Sequence, residues 1–378
     1  MLNLKKLVKK MALVILVIVG LIVLSVFLFV TNSPQFGGKM TKEQKERYVV
    51  SPNYKDGKFV NVNGADVNLG FGDMMKSLKG YFFPLPKTIP EHNISVEAID
   101  SVAIADYVGP TRLIWFGHST FLLQSATKNI LIDPMFGEVP APNSMLGTSR
   151  FSKKLPIEID QLPSIDAVVF SHDHYDHLDY GSVLLLKDKV NKFITPLGLG
   201  VHLTEWGVEQ KDIVELDWWN TTNYLGMEFI CTPAQHFSGR GISDRGNTLW
   251  SSWVINLGNE KIFFSGDSGY GSHFQEIGDK FGPFDFAMME CGQYNELWKA
   301  IHMMPEETAQ ASIDVRAKRM MPIHWGAFKL AMHPWTEPIE RVSVKAKELG
   351  VDMIAPKIGQ PIYLDKPLAI NEQWWLKF

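Results

Sequence analysis

From Arg112 onward the chain is a succession of short apolar runs, each cut off by Gly, Asp, Pro or Ser. Residues 113–116, 121–123, 130–132 and 167–170 are too short for helices and read as buried strands. The second half repeats the rhythm at 228–231, 252–255, 261–264 and 286–289. Helical periodicity falls between and after these runs, over 180–189 and 199–206. Pro305 opens another helix, with Glu306 and Glu307 in its first turn, where acids suit the helix dipole. Ile339, Val342, Ala346 and Leu349 mark one face of a last helix, closed by Gly350. The halves also echo each other, Lys128-Asn129-Ile130-Leu131-Ile132-Asp133 against Lys261-Ile262-Phe263-Phe264-Ser265-Gly266-Asp267. Strands first and helices after, twice over, predict an α+β fold of two packed sheets with helices outside.

The N-terminus follows another pattern. Residues 11–30 contain no charge, and as a helix they would be about 30 Å long, the thickness of a bilayer's hydrocarbon core. A cleaved signal peptide is the competing reading, but the run is long for one and no small-x-small site follows Val30. We read residues 1–30 as a retained single-pass membrane anchor. Lys5, Lys6, Lys9 and Lys10 place its N-terminus in the cytoplasm and the rest of the chain on the outer side. Residues 31–110 mix turns and extended chain, as at Asn61-Val62-Asn63-Gly64 and Phe83-Pro84-Leu85-Pro86. They form an arm expected to pack on a catalytic domain at 111–365, which a tail at 366–378 follows.

Composition changes the picture only at a few points. With 46% hydrophobic and 21% charged residues the chain is globular, and two cysteines exclude a disulfide scaffold or a four-cysteine metal site. The full chain carries a formal charge of −4; without the four lysines of residues 1–30 it carries −8. An acidic domain of this kind is a poor nucleic-acid binder, because phosphate backbones are held by Lys and Arg.

The chemistry concentrates at the histidines. Ser171-His172-Asp173-His174-Tyr175-Asp176-His177-Leu178-Asp179 follows the run ending at Phe170. His172 and His174 can point the same way along an extended segment, while Asp176 and His177 lie a turn further on. That arrangement suits two adjacent metal ions. His236, Asp267 and His324 each follow a later strand, in Thr232-Pro233-Ala234-Gln235-His236, Ser265-Gly266-Asp267-Ser268-Gly269 and Pro322-Ile323-His324-Trp325-Gly326. One histidine at a strand end is usually structural; three such positions together with the cluster are not.

This order of ligand types resembles that of the metallo-β-lactamase superfamily of binuclear hydrolases. Trp115-Phe116-Gly117-His118-Ser119-Thr120, Leu249-Trp250-Ser251-Ser252-Trp253, Gly266-Asp267-Ser268-Gly269-Tyr270 and Pro305-Glu306-Glu307 are similar to its N-acyl-phosphatidylethanolamine phospholipase D branch. The resemblance runs from about Tyr48 to Lys347. It implies a four-layered αββα sandwich and two Zn²⁺ ions, one held by His172, His174 and His236, the other by Asp176, His177 and His324, with Asp267 bridging. Such metal pairs acidify water and neutralise charge on phosphoryl oxygens. The resemblance also implies an active-site role for His302, beside the substrate; a capping or packing role at the start of the Pro305 helix is the alternative.

Other positions are bland on their own. His118 reads as a turn histidine that supports the site rather than a ligand. Asp173 either orients a ligand histidine or is solvated, and Asp133 is placed to anchor the histidine loop. Cys231 and Cys291 either pair or stay free. Some tryptophans would line an acyl-chain groove, though core packing explains most of them. Where the branch tends to have an apolar residue and a Gly-Ala pair, this chain has Glu290-Cys291-Gly292-Gln293-Tyr294-Asn295. The expected function is a membrane-anchored phosphodiesterase that converts N-acyl-phosphatidylethanolamine to phosphatidic acid and N-acylethanolamine, with a phospholipid at a membrane surface as its partner. The alternative is a hydrolase of the same fold acting on a lactone or other ester.

Overall fold

The computed structural model describes residues 4–62, 64–65, 67, 70–83, 85–366 and 373–378. Asn63, Pro84 and residues 367–372 of the tail, on which the turn, extended-chain and tail readings partly rested, lie outside the described residues.

A two-stranded hairpin, β1 (Tyr54–Lys55) and β2 (Lys58–Phe59), precedes two larger sheets. The first large sheet contains β3 (Gly109–Trp115), β4 (Phe121–Ala126), β5 (Lys128–Ile132), β6 (Ile165–Val169), β7 (Val190–Pro196), β8 (Ile213–Leu216) and, from the end of the chain, β15 (Pro361–Tyr363). Their order is β15-β3-β4-β5-β6-β7-β8. The second contains β9 (Thr221–Tyr224), β10 (Met227–Thr232), β11 (Ser252–Asn256), β12 (Lys261–Phe264), β13 (Phe286–Glu290) and β14 (Met320–Ile323), ordered β14-β13-β12-β11-β10-β9. The echo between the halves has a structural counterpart. β5 runs antiparallel to β4 and parallel to β6, as β12 runs antiparallel to β11 and parallel to β13. Asp133 follows the first of these middle strands and Asp267 follows soon after the second.

Alternation along each strand sends neighbouring side chains to opposite faces. Leu113, Trp115, Leu123, Ile130, Ile132 and Val169 of the first sheet share one buried cluster with Phe229, Trp253, Ile255 and Phe264 of the second. On the outer face of the first sheet, Ile114, Leu122, Leu131 and Val168 pack with Val183, Leu186 and Leu203 of two short helices. The helices α1 (Leu4–Asn32), α2 (Lys42–Tyr48), α3 (Phe71–Phe82) and α4 (Ser101–Ala105) precede the sandwich; α5 (Tyr180–Leu186) and α6 (Gly200–Glu205) cover the first sheet. α7 (His273–Phe281), α8 (Pro305–Asp314) and α9 (Glu337–Leu349) belong to the second half, where Ala309 of α8 and Ile339 and Val342 of α9 join the main cluster. Both sheets are covered on both faces, which is why their strands read as continuous apolar runs rather than alternating ones.

The segments outside the sandwich are not loosely attached. Lys6–Asn32 of α1 is long and apolar enough to cross a membrane, and none of its most apolar stretch is buried. The chain leaving it docks at once: Trp206 Nε1 donates to the Pro34 carbonyl at 2.8 Å, Arg240 Nε to the Gln35 carbonyl at 2.8 Å, and the Phe36 ring meets Tyr175 edge-on. In the arm, Tyr48, Tyr54 and Phe59 form an aromatic cluster, and Tyr48 donates to Glu215. At the other end Trp374 and Trp375 are buried, and Trp374 stacks on Trp325 with ring centroids 5.4 Å apart. Cys231 and Cys291 are buried and unpaired with each other.

Candidate metal centre

The ligand-type residues come from the ends of four strands, where loops leave a rigid sheet. His172, His174, Asp176 and His177 follow β6, His236 follows β10, Asp267 follows β12 and His324 follows β14. Four non-glycine residues of this face have left-handed backbone: His118 at φ 55°, Asp133 at φ 40°, Gln293 at φ 61° and His324 at φ 66°. That conformation is uncommon away from glycine and concentrates at functional sites. Gly266 (φ +56°) is required here, since a Cβ would lie 2.5 Å from the Ser251 carbonyl oxygen and 3.0 Å from Ser171 Cβ.

The donors converge in two groups of four whose atoms lie within 4.8 Å of one another, His172, His174, His236 and Asp267 in one, His118, Asp176, His177 and His324 in the other, and a third group joins Asp267, His302 and His324. Asp267 straddles them. Its Oδ1 is 3.2 Å from both His177 Nε2 and His324 Nδ1, and its Oδ2 is 3.7 Å from His172 Nε2 and 3.8 Å from His236 Nε2.

The hydrogen bonds around these rings leave a cation as the missing partner. His236 Nδ1 faces the Ile301 carbonyl at 3.0 Å, so it carries the proton and Nε2 has a bare lone pair. His172 Nδ1 is 2.9 Å from Ser171 Oγ, whose own proton goes to Asp133, so its Nε2 is bare as well. Both Nε2 atoms approach His174 Nδ1, at 3.0 and 3.1 Å. His177 Nε2 and Asp267 Oδ1 are buried without a hydrogen-bond partner. Lone pairs brought this close repel unless a positive ion sits among them, so the residues present fit a metal.

Burial is the first cause of the ring charges. It holds His172, His236 and His324 well below the usual imidazole range, helped by neighbouring rings, and pushes His174 down to about 4. Neutral rings are the form that ligates. Burial also pushes Asp267 up to about 6. His177 is the exception: burial would discharge it, but Asp267, Asp176 and Asp133 outweigh burial and raise it well above the ordinary value.

A surrounding set of residues fixes the donors. Asp133 accepts from Ser171 N at 2.7 Å and sits 2.7 Å from His177 Nδ1, the anchoring role expected of it. His118 Nε2 lies 2.8 Å from Asp176 Oδ2, so this turn histidine is inside the donor cluster and not merely beside it. Asp173 is neither solvated nor turned to a ligand histidine: it accepts from Gly239 N and Thr248 Oγ1 and ties the histidine loop to the loop after His236. Asn61, from the arm, exchanges two hydrogen bonds with the backbone of His236, at 2.8 and 3.1 Å. Nothing in the sequence singled out Asn61, because one asparagine in a turn carries no spacing signal.

The centre opens into a cavity of about 560 Å³. His174, Asp176, Asp267, His302 and His324 form its floor, and Val67, Phe237, Trp298, Ile301 and Leu330 give it apolar walls, with Arg245 and Gln293 also lining it. His302 is therefore beside the donors, its ring stacked on His324 at 5.5 Å, and its Nδ1 lies 2.5 Å from Glu290 Oε1. Most tryptophans of the chain are instead in the core: Trp115, Trp253 and Trp325 are fully buried.

The β-lactamase superfamily domain matches residues 128–325. The chain is 39% identical over 334 residues to an uncharacterized protein of Mycobacterium tuberculosis, an alignment covering 86% of this chain and 87% of that one. It is 32% identical over 261 residues to the N-acyl-phosphatidylethanolamine-hydrolyzing phospholipase D 1 of Caenorhabditis elegans, covering 65% of this chain and 70% of that protein. The isothiocyanate hydrolase from Delia radicum gut bacteria shares the fold, with a TM-score of 0.54 at 21% identity over 66% of this chain and 98% of that one. With two sheets packed face to face, helices outside and a histidine–aspartate cluster at the strand ends, the chain belongs to the metallo-β-lactamase superfamily, as a metal-dependent hydrolase of that fold.

Proposed function

We propose that the protein is a membrane-anchored zinc phosphodiesterase of the phospholipase D type, converting N-acyl-phosphatidylethanolamine to phosphatidic acid and N-acylethanolamine. The observation that carries this reading is Asp267, one oxygen toward each donor group, at the floor of a cavity with apolar walls. The imidazole-rich donors suit Zn²⁺, with His172, His174 and His236 on one ion, Asp176, His177 and His324 on the other, and Asp267 shared. A bound metal pair would supply a water of lowered pKa and neutralise charge developing on phosphoryl oxygens. The chain's own residues do the rest. Phe237, Trp298, Ile301 and Leu330 offer acyl chains a dry surface, Arg245 offers the cavity a positive charge, and His302 presents a ring edge beside the reacting phosphorus. α1 would keep the domain at the membrane, with the catalytic part outside the cytoplasm. The similarity to the nematode phospholipase D supports the substrate class.

The test is to offer zinc-loaded protein in detergent an N-acylated phospholipid and a lactone side by side. Release of phosphatidic acid is expected. Turnover of the lactone alone would favour the ester-hydrolase alternative, since the same donors serve either reaction.

A further inference from the structure

Glu290 ends β13 and is completely buried. Among the described residues, Arg245 is the cavity's cationic side chain, and no lysine or arginine is bonded to this carboxylate. Its Oε2 accepts from the backbone N–H groups of Ser268, at 3.0 Å, and Met303, at 3.4 Å. Ser268 follows Asp267 in sequence, and Met303 follows His302. Its Oε1 lies 2.5 Å from His302 Nδ1. One carboxylate thus holds the loop of Asp267, the loop of His302 and the His302 ring. The Thr308 hydroxyl donates to the Glu290 carbonyl at 2.7 Å, which ties the strand end to α8.

From this geometry we propose that Glu290 is a positioning residue for His302, holding the proton on Nδ1 so that Nε2 is the atom turned to the substrate. A buried carboxylate is costly unless every lone pair is used, and here the uses all converge on the site.

The assignment rests on the phosphodiester reading. Water adds its oxygen to phosphorus as the bond from phosphorus to the ethanolamine oxygen breaks. His302 Nε2, bare while Nδ1 carries the ring proton, takes a proton from the attacking water and passes it to that departing oxygen. The Nδ1 proton stays with Glu290 throughout. A departing alkoxide needs that proton; a departing nitrophenolate does not.

The experiment compares wild type and Glu290→Gln, zinc-loaded in detergent, on N-acyl-phosphatidylethanolamine and on bis(p-nitrophenyl) phosphate. Positioned acid–base groups contribute about a hundredfold or more. The variant is expected to lose at least about tenfold in kcat on the phospholipid, with KM and metal content kept, and to change little on the nitrophenyl diester. Equal losses on both substrates, or loss of metal, would make Glu290 a structural residue and overturn the proposal. Nitrogen-15 NMR of the His302 ring in the wild-type protein reads the same claim without any variant and without activity. Protonation at Nδ1 is expected, and a ring protonated only at Nε2 overturns the proposal. If wild type cleaves neither diester while His302 carries its proton on Nδ1, the phosphodiester reading fails and the positioning of His302 stands.

Discussion

His324 and His302 lie in the same cavity, yet their losses should differ in kind. The proposed ligand set is complete without His302, so His302→Gln should keep its metal content and the melting temperature while kcat on a phosphodiester falls at least about tenfold. His324→Gln should lose metal and activity together, because its ring is within reach of both Asp267 and Asp176. Metal analysis beside kinetics separates the two; zinc loss in His302→Gln would mean the ligands are misassigned. His273 gives a pH prediction away from the ligands. Burial depresses its folded value to about 3, against about 6.5 unfolded. Between these values the unfolded chain binds a proton that the folded chain does not, so stability is lost as pH falls. At pH 5 that is about 2 kcal/mol. His273→Gln should therefore show a smaller drop in melting temperature from pH 7 to pH 5 than wild type, and an equal drop would contradict the assignment. The histidines of the donor cluster were readable because several donors recur at strand ends in one order. Glu290 and Asn61 were not, because each acts through contacts that only the folded chain brings about.

At the scale of elements, the apolar runs located β3 to β6 and β10 to β13 within a few residues. β7, with Asn191, Lys192 and Pro196, has too mixed a pattern, and β8, β9 and β15 are short strands at sheet edges. Pairing with neighbours, not local sequence, makes them strands. The tail carried no signal at all, yet Trp374 packs against Trp115, Trp325 and Trp335 behind the His324 loop. Trp374→Ala should destabilise the domain by about 3–5 kcal/mol, read as a lower urea midpoint with the denaturant slope unchanged. A midpoint within error of wild type would mean the tail is only draped on the surface.

At the scale of the molecule, the connector that follows α1 is docked on the sandwich. Removing residues 1–32 leaves the contacts of Pro34, Gln35 and Phe36 with Trp206, Arg240 and Tyr175; removing residues 1–40 takes them away. A reporter fused after Phe378 should behave as extracytoplasmic, and the mature chain should retain residues 1–30. A cytoplasmic reporter signal would reverse the orientation, and a mature N-terminus near Thr31 would mean cleavage. The central claim is that this site hydrolyses a phosphodiester at phosphorus. It is tested most directly by mass spectrometry of the products formed from N-acyl-phosphatidylethanolamine in ¹⁸O-labelled water. The account predicts phosphatidic acid carrying the label on its phosphate and unlabelled N-acylethanolamine. Label in a freed fatty acid, with no phosphatidic acid formed, would contradict it.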